Sequence, residues 1–362
     1  VAEMTQLDKT IRCWRFAAWP ALDQAAWNWG CTPLEPFATP FAVARPGAKM
    51  RQGTLDKIRK GYGRWLCFLA AHGALDADQP PLARITRPRL WAYFQALRQA
   101  GNADYTVIGR FDELRKAMRI IAPGVDVSWI DKLDGVSIAA LLPKTRRAML
   151  VPDSGVLLAW ALGMMDQARL STSLRRRLTD YRDGLLLAML ASRGRRLRSM
   201  SLLRDGREVI ARDAHFRVEL TPDQVKTNQA DRFDLPDVLS PYIRHYLAVI
   251  RPALLAGGSD DAFWITRDGI AMTPKAIQYQ VLARTKKRFG QAYGPHRMRH
   301  AIVTTAALRA SDYPDLGAAV LNITARTAGR SYNLAGRSTA AAVTLARLNA
   351  QCRRGYRGRG RS

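Results

Sequence analysis

GPHRMRHAIVTTAAL, Gly294 to Leu308, sets a proline, two histidines and two arginines ahead of a mostly apolar run. Pro295 suits the first turn of a helix, where its missing N–H would have no partner anyway. Helical spacing then brings His296, Arg299 and His300 near one face. The two histidines stand four apart, which is also a metal spacing. No carboxylate lies between them, however, and Arg297 and Arg299 repel a dication, so no metal is expected. Imidazoles and guanidinia at the positive end of a helix suit an anion, most simply a phosphate. A capped, partly buried helix start with surface arginines explains the segment about equally well.

Three further segments carry unusual polar residues. In ASRGRRLRSMSLL, Ala191 to Leu203, an apolar helix ends, Gly194 breaks it and a new helix begins, with Arg196 at the corner and Met200 and Leu203 at core spacing. Of Arg193, Arg195, Arg196 and Arg198, three are expected to be solvated. In QVKTNQADRF, Lys226 lies beside a turn in a region of strands; a hairpin lysine is by itself most often a surface charge. In RTAGRSYNLAGRST, Arg326 to Thr339, Tyr332 stands among small residues and arginines, without the apolar neighbours of a core tyrosine.

The whole chain is strongly basic. Its 362 residues hold 57 Lys and Arg against 30 Asp and Glu, a formal charge of +27. This favours a polyanionic partner, nucleic acid ahead of an anionic membrane surface. No run approaches the ~20 apolar residues that span a bilayer. The four cysteines, Cys13, Cys31, Cys67 and Cys352, are scattered and form no C-x-x-C pair. They suit a reducing compartment, and no secretory signal opens the sequence, so a cytoplasmic, nucleoid-associated protein is expected.

The length suggests two domains. Residues 1–46, rich in Trp and Pro, read as one or two short helices and an extended arm. Residues 47–140 show helical stripes: Leu55, Ile58, Tyr62, Trp65 and Leu69, closed by Gly73; Leu90, Tyr93 and Leu97 behind a Thr86 cap; Val107, Phe111, Leu114, Met118 and Ile121. The opposite faces carry Arg51, Lys57, Lys60, Arg110 and Arg115, candidate DNA contacts. Residues 141–153 read as a linker. Residues 154–352 continue with helices at 156–168 and 178–191, a small antiparallel sheet within 208–235, a helix at 241–254 and a hairpin with Asp268-Gly269 at its turn. Ser338 is a candidate cap for a last helix, and the basic tail 353–362 reads as low-complexity.

Taken in order, these segments resemble the tyrosine recombinases, the phage integrase family. RGRRLRSMSLL is similar to the first-arginine box through Gly194, Arg196, Met200 and Leu203. VKTNQADRFDLP is similar to the β-hairpin lysine segment. PHRMRH is similar to the histidine-x-x-arginine-histidine box, and Tyr332 falls 33 residues past Arg299, where the nucleophile stands. The resemblance implies a mainly α fold with a small antiparallel β-sheet: an N-terminal helical, SAM-like core-binding domain followed by a catalytic domain. It implies Tyr332 as nucleophile, Arg196 and Arg299 as clamps on the phosphate, His296 as base or orienting group and Lys226 as acid, with His300 accessory. It implies double-stranded DNA as partner, a 3′-phosphotyrosyl intermediate, a homotetramer or a heteromer with related recombinases on synapsed sites, and no cofactor.

One position departs from the family pattern. In VLNITARTAGRSY, Asn322 stands for the family's glycine and Ile323 for its histidine or tryptophan. Ile323 cannot donate a hydrogen bond; Asn322 is a candidate replacement. Two alternatives follow, a recombinase-like DNA binder with weakened catalysis and a type IB topoisomerase.

Overall fold

A computed structural model of the chain describes residues 13–35, 43–144, 152–310, 312–313 and 315–331. The chain divides into two compact units, Val1–Ala148 and Met149–Ser362. Residues 145–151, within the expected linker, lie outside the described residues.

In the first unit, α1 (Ala21–Cys31), α2 (Gln52–Ala71), α3 (Arg87–Gln99) and α4 (Asp104–Ile121) surround one core. The apolar stripe of α2 is buried at Ile58, Tyr62, Trp65 and Leu69. Gly73, at φ 63°, takes the left-handed conformation that ends this helix, and Ala74 N–H donates back to Leu69 O at 2.9 Å. Thr86 caps α3 by accepting from Arg89 N–H at 3.4 Å. Trp19 and Trp27 enter the same core, with Trp19 edge-on to Tyr62 at 4.9 Å. Residues 13–31 are thus built into this unit, with a 3-10 turn at Phe16–Ala18 and α1 in the stretch where one or two short helices were expected. Asp23 and Arg84 are fully buried and pair at 2.9 Å, and Tyr62 donates its hydroxyl to Asp23. Two-residue strands β1 (Lys132–Leu133) and β2 (Val136–Ser137), too short for any periodic signal, precede α5 (Ile138–Leu141).

In the second unit, α6 (Ser154–Arg169) packs along α7 (Leu174–Arg193). Residues 181–191 of α7 are all buried, which makes it the central helix. Gly184 admits α6, since a Cβ there would meet Met165 Cγ at 2.6 Å. After α8 (Leu197–Ser201) come β3 (Val209–Arg212), β4 (His215–Leu220) and β5 (Asp231–Asp234), an antiparallel sheet in the order β3-β4-β5. Phe216, Val218 and Leu220 of β4 alternate inward.

The helix expected over 241–254 is α9 (Ser240–His245), a π-helical turn at Tyr246–Ile250 and α10 (Arg251–Leu255). Pro252 has no N–H to give the carbonyl four residues back, and the ladder shifts register just before it. The expected hairpin at 263–273 is a tight loop with one bridge, Ile265 to Ala271, and Gly269 at φ 78°. Next are α11 (Pro274–Phe289), α12 (Pro295–Arg309), α13 (Leu316–Leu321) and α14 (Ala325–Ser331). The fold is mainly helical with a small antiparallel sheet. Among the described residues, no helix is long and apolar enough to cross a membrane. Tyr332, Ser338, Cys352 and the basic tail lie outside the described residues.

Candidate active site

The site begins where α7 ends. Gly194 sits at φ 45°, a left-handed conformation that turns the chain out of the helix. The space around it is also closed: a Cβ would come within 2.7 Å of both Ile302 Cδ1 and Leu321 Cδ2. The turn delivers Arg195 and Arg196 in succession, and Arg196 is the N-terminal cap residue of α8.

α12 approaches the same turn. Its Arg299 is only 2% exposed and donates Nη1–H to Gly194 O at 2.5 Å. The reading of this helix start as one with surface arginines therefore fails at Arg299. His300 is buried, and its ring meets that of His296 edge-to-face at 5.0 Å. His296 stands more open. Partial withdrawal of its ring from water, and then the charges of Arg299, Arg297 and Arg196, hold its pKa below the ordinary 6.5.

Lys226 lies in the long connection between β4 and β5 rather than at a tight hairpin tip. That loop contains a 3-10 turn closed by a capping box between Thr221 and Gln224. Ser199 of α8, itself buried, donates to Gln224 O at 3.0 Å, two residues before Lys226.

One open cleft of about 470 Å³ is lined by Arg196, Lys226, His296 and Arg299, along with Arg195 and Gln278. Four residues from three distant stretches of chain thus share one surface. A cavity lined by four arginines, Arg195, Arg196, Arg198 and Arg299, with an ammonium and an imidazole, is suited to a phosphodiester: charge to hold its oxygens, a base and an acid. Among the described residues, no group of three His, Cys, Asp or Glu is arranged to hold a metal ion.

Arg195 and Gln278 were not singled out in the sequence. Arg195 overturns the expectation that three of the four arginines are solvated. It is 5% exposed, Arg193 and Arg196 are half-buried, and only Arg198 is exposed. Its fork meets Asp231 with Nε at 2.7 Å and Nη2 at 3.0 Å, its Nη1 donates to Val320 O at 2.6 Å, and its guanidinium lies 4.0 Å over the Phe233 ring. Burial pulls its pKa down to about 10 against the opposing pull of Asp231. No local pattern marks Arg195 in RGRRLR; its partners are 36 and 125 residues away.

Asn322 and Ile323 are not among the residues that line the cleft. Asn322 is the left-handed C-cap of α13, at φ 49° and ψ 61°. Asparagine is among the few residues other than glycine that take this conformation readily. Ile323 packs against the small apolar cluster of Ile302, Val303 and Leu321.

The candidate DNA contacts of the first unit divide. Arg51, Lys57 and Lys60 are exposed, although Lys57 lies 3.8 Å from Glu113. Arg110 and Arg115 are half-buried: Arg110 bonds Glu113 at 2.7 Å, and Arg115 bonds Asp112 and forms an ion pair with Asp131, at 3.0 Å each. The basic face expected of α4 is thus partly neutralised from within the unit.

No protein-family model matches the sequence, and no curated protein matches it. Solved structures do. The chain is similar to the XerH site-specific recombinase in a post-cleavage complex with palindromic difH substrate, with a TM-score of 0.51 and 15% identity over 79% of this chain and 76% of that one. Weaker superpositions reach a lambda integrase dimer bound to a COC′ core site (TM-score 0.49, 14% identity, 80% of this chain and 74% of that one) and XerA recombinase (0.40, 16%, 85% and 94%). The chain has a tyrosine-recombinase fold.

Proposed function

We propose that this protein is a site-specific tyrosine recombinase that cuts and rejoins double-stranded DNA. The observation that carries the reading is the single cleft lined by Arg196, Lys226, His296 and Arg299. The similarity of fold to a recombinase structure supports it.

The proposed step is a balanced exchange of esters. His296 takes the phenolic proton of Tyr332, and the phenolate oxygen forms a bond to phosphorus. The bond from phosphorus to the 5′-oxygen breaks, and Lys226 protonates that oxygen as it leaves. Arg196 and Arg299 hold the non-bridging oxygens as charge builds on them. The strand is left joined through a 3′-phosphotyrosyl link, and a 5′-hydroxyl from a second duplex reverses the reaction. Exchange between two duplexes breaks four strands and so takes four protomers, one tyrosine for each strand. The exposed cations Arg51, Lys57 and Lys60 are assigned to DNA phosphates.

The test is covalent trapping. A pool of nicked duplexes with randomised flanks is incubated with protein, and adducts that survive denaturing gels are sequenced. The expected result is one enriched site, followed by strand exchange between two labelled duplexes that carry it. Relaxation of supercoils without a partner site would indicate a topoisomerase instead. Salt-sensitive binding with no adduct would leave a passive binder. One observation favours slow cleavage within the recombinase reading: Ile323 offers no hydrogen bond where the family has a donor.

The pH dependence of cleavage follows from His296. Its neutral ring accepts the proton, and its pKa is held below 6.5. Protonation at lower pH removes the acceptor, and the depression moves that loss further into acid. The acid limb of kcat/KM is therefore expected below pH 6.5, and His296→Gln should abolish it. Rates measured on the trapped site between about pH 5 and 8 decide this; a limb centred above that range of His296 would assign the base elsewhere.

A further inference from the structure

The loop that carries Lys226 is held on both sides by residues within three positions of Arg196. Two residues before Lys226, Gln224 O accepts from Ser199 at 3.0 Å. Five residues after it, Asp231 takes the fork of Arg195 at 2.7 and 3.0 Å. Arg195 and Asp231 are each 5% exposed, so solvent reaches little of either partner. The same guanidinium reaches Val320 O at 2.6 Å, near the end of α13, from which Asn322, Ile323 and α14 run to Ser331. One side chain therefore ties together the arginine turn, the lysine loop and the segment that ends one residue before Tyr332.

We propose that Arg195, through Asp231 and Val320, is a positioning residue that sets the Lys226 loop and the α13–α14 segment in register with the Arg196 turn. This rests on the recombinase reading above. Arg195 itself does not hold the phosphate, because its donors point at Asp231, Val320 O and Arg193 O. Its effect is on where the acid stands. A general acid misplaced by about 1 Å loses much of its advantage, and that advantage is typically 10²–10⁴-fold. A buried, hydrogen-bonded ion pair beside that loop supplies direction as well as charge.

The experiment compares two trapped-site duplexes, one with an ordinary 5′-oxygen at the cleaved phosphate and one with sulfur bridging at that position. A thiolate leaves without a proton, so the sulfur duplex does not need the acid. Wild type, Lys226→Ala, Asp231→Asn, Arg195→Met and the double variant Arg195→Met/Asp231→Leu are measured on both, with DNA affinity and thermal unfolding alongside. The double variant is included because Arg195→Met alone strands a buried carboxylate. Lys226→Ala is expected to lose about 100-fold or more on oxygen and to recover on sulfur. Asp231→Asn and the double variant are expected to lose roughly 10- to 100-fold on oxygen and most of that loss should vanish on sulfur, with DNA affinity unchanged.

Parallel losses on the two duplexes would mean a general structural effect, and no loss on oxygen would mean that the pair positions nothing; either ends this proposal while wild-type cleavage stands. Absence of cleavage by wild type on both duplexes would instead overturn the recombinase reading, and this proposal with it.

Discussion

Tyr332→Phe is expected to leave no covalent protein–DNA adduct on the trapped site, at any time of incubation at which wild type forms one. The substitution removes a single oxygen and keeps the ring, so DNA affinity should hold within about twofold. The rate should fall by roughly a millionfold, as it does when other covalent enzymes lose their nucleophile. Tyr332 lies outside the described residues, so the expectation rests on sequence and on its neighbours. It directly follows Ser331, the last residue of α14, and no other tyrosine stands at the family's spacing from Arg299. An adduct formed by the variant would move the nucleophile, and Tyr356 in the tail would be the first replacement to examine.

The second large effect is expected at the two arginines of the cleft. Arg196→Lys and Arg299→Lys keep the positive charge and remove the planar fork. If both guanidinia hold oxygens of the phosphate as charge develops, each change should lower cleavage by about 10²–10³, near 3–4 kcal/mol of barrier. Binding of uncleaved DNA should change far less, since charge alone supplies most of that attraction. The two positions should also differ. Arg299 is 2% exposed and anchored on Gly194 O, so a lysine there loses an internal tether and leaves a buried ammonium poorly matched to its surroundings. Arg299→Lys is therefore expected to lower the unfolding temperature as well, whereas half-buried Arg196→Lys is not. Single-turnover cleavage, filter binding and thermal melts separate these outcomes. Cleavage within threefold of wild type in both variants would remove the arginines from the proposed chemistry.

Much of the scaffold was legible because it is written in local periods. The α2 stripe, the Thr86 cap and the glycine that closes α2 each depend on residues within one or two turns. The corner at Gly194 was also legible, since a glycine between an apolar helix and a basic run has few other uses. Arg195 was not. Four arginines in RGRRLR look alike until Asp231 and Val320 arrive from elsewhere in the fold, and only then does one of them become interior. The backbone role of Asn322 was not legible for a related reason: the letter records a side chain, while the turn depends on φ. The clustering of Arg196, Lys226, His296 and Arg299 was suggested by the order of motifs. Their shared cleft is a property of the turn after α7, the loop after β4 and the start of α12, which no single segment encodes.

Gly194 and Asn322 are both left-handed, and Leu321, next to Asn322, is one of the side chains that a methyl group at 194 would strike. The two turns thus stand back to back in space although they are far apart in the chain. A lineage can replace nearly every letter around such a place without disturbing it, provided the handedness of these two residues is inherited.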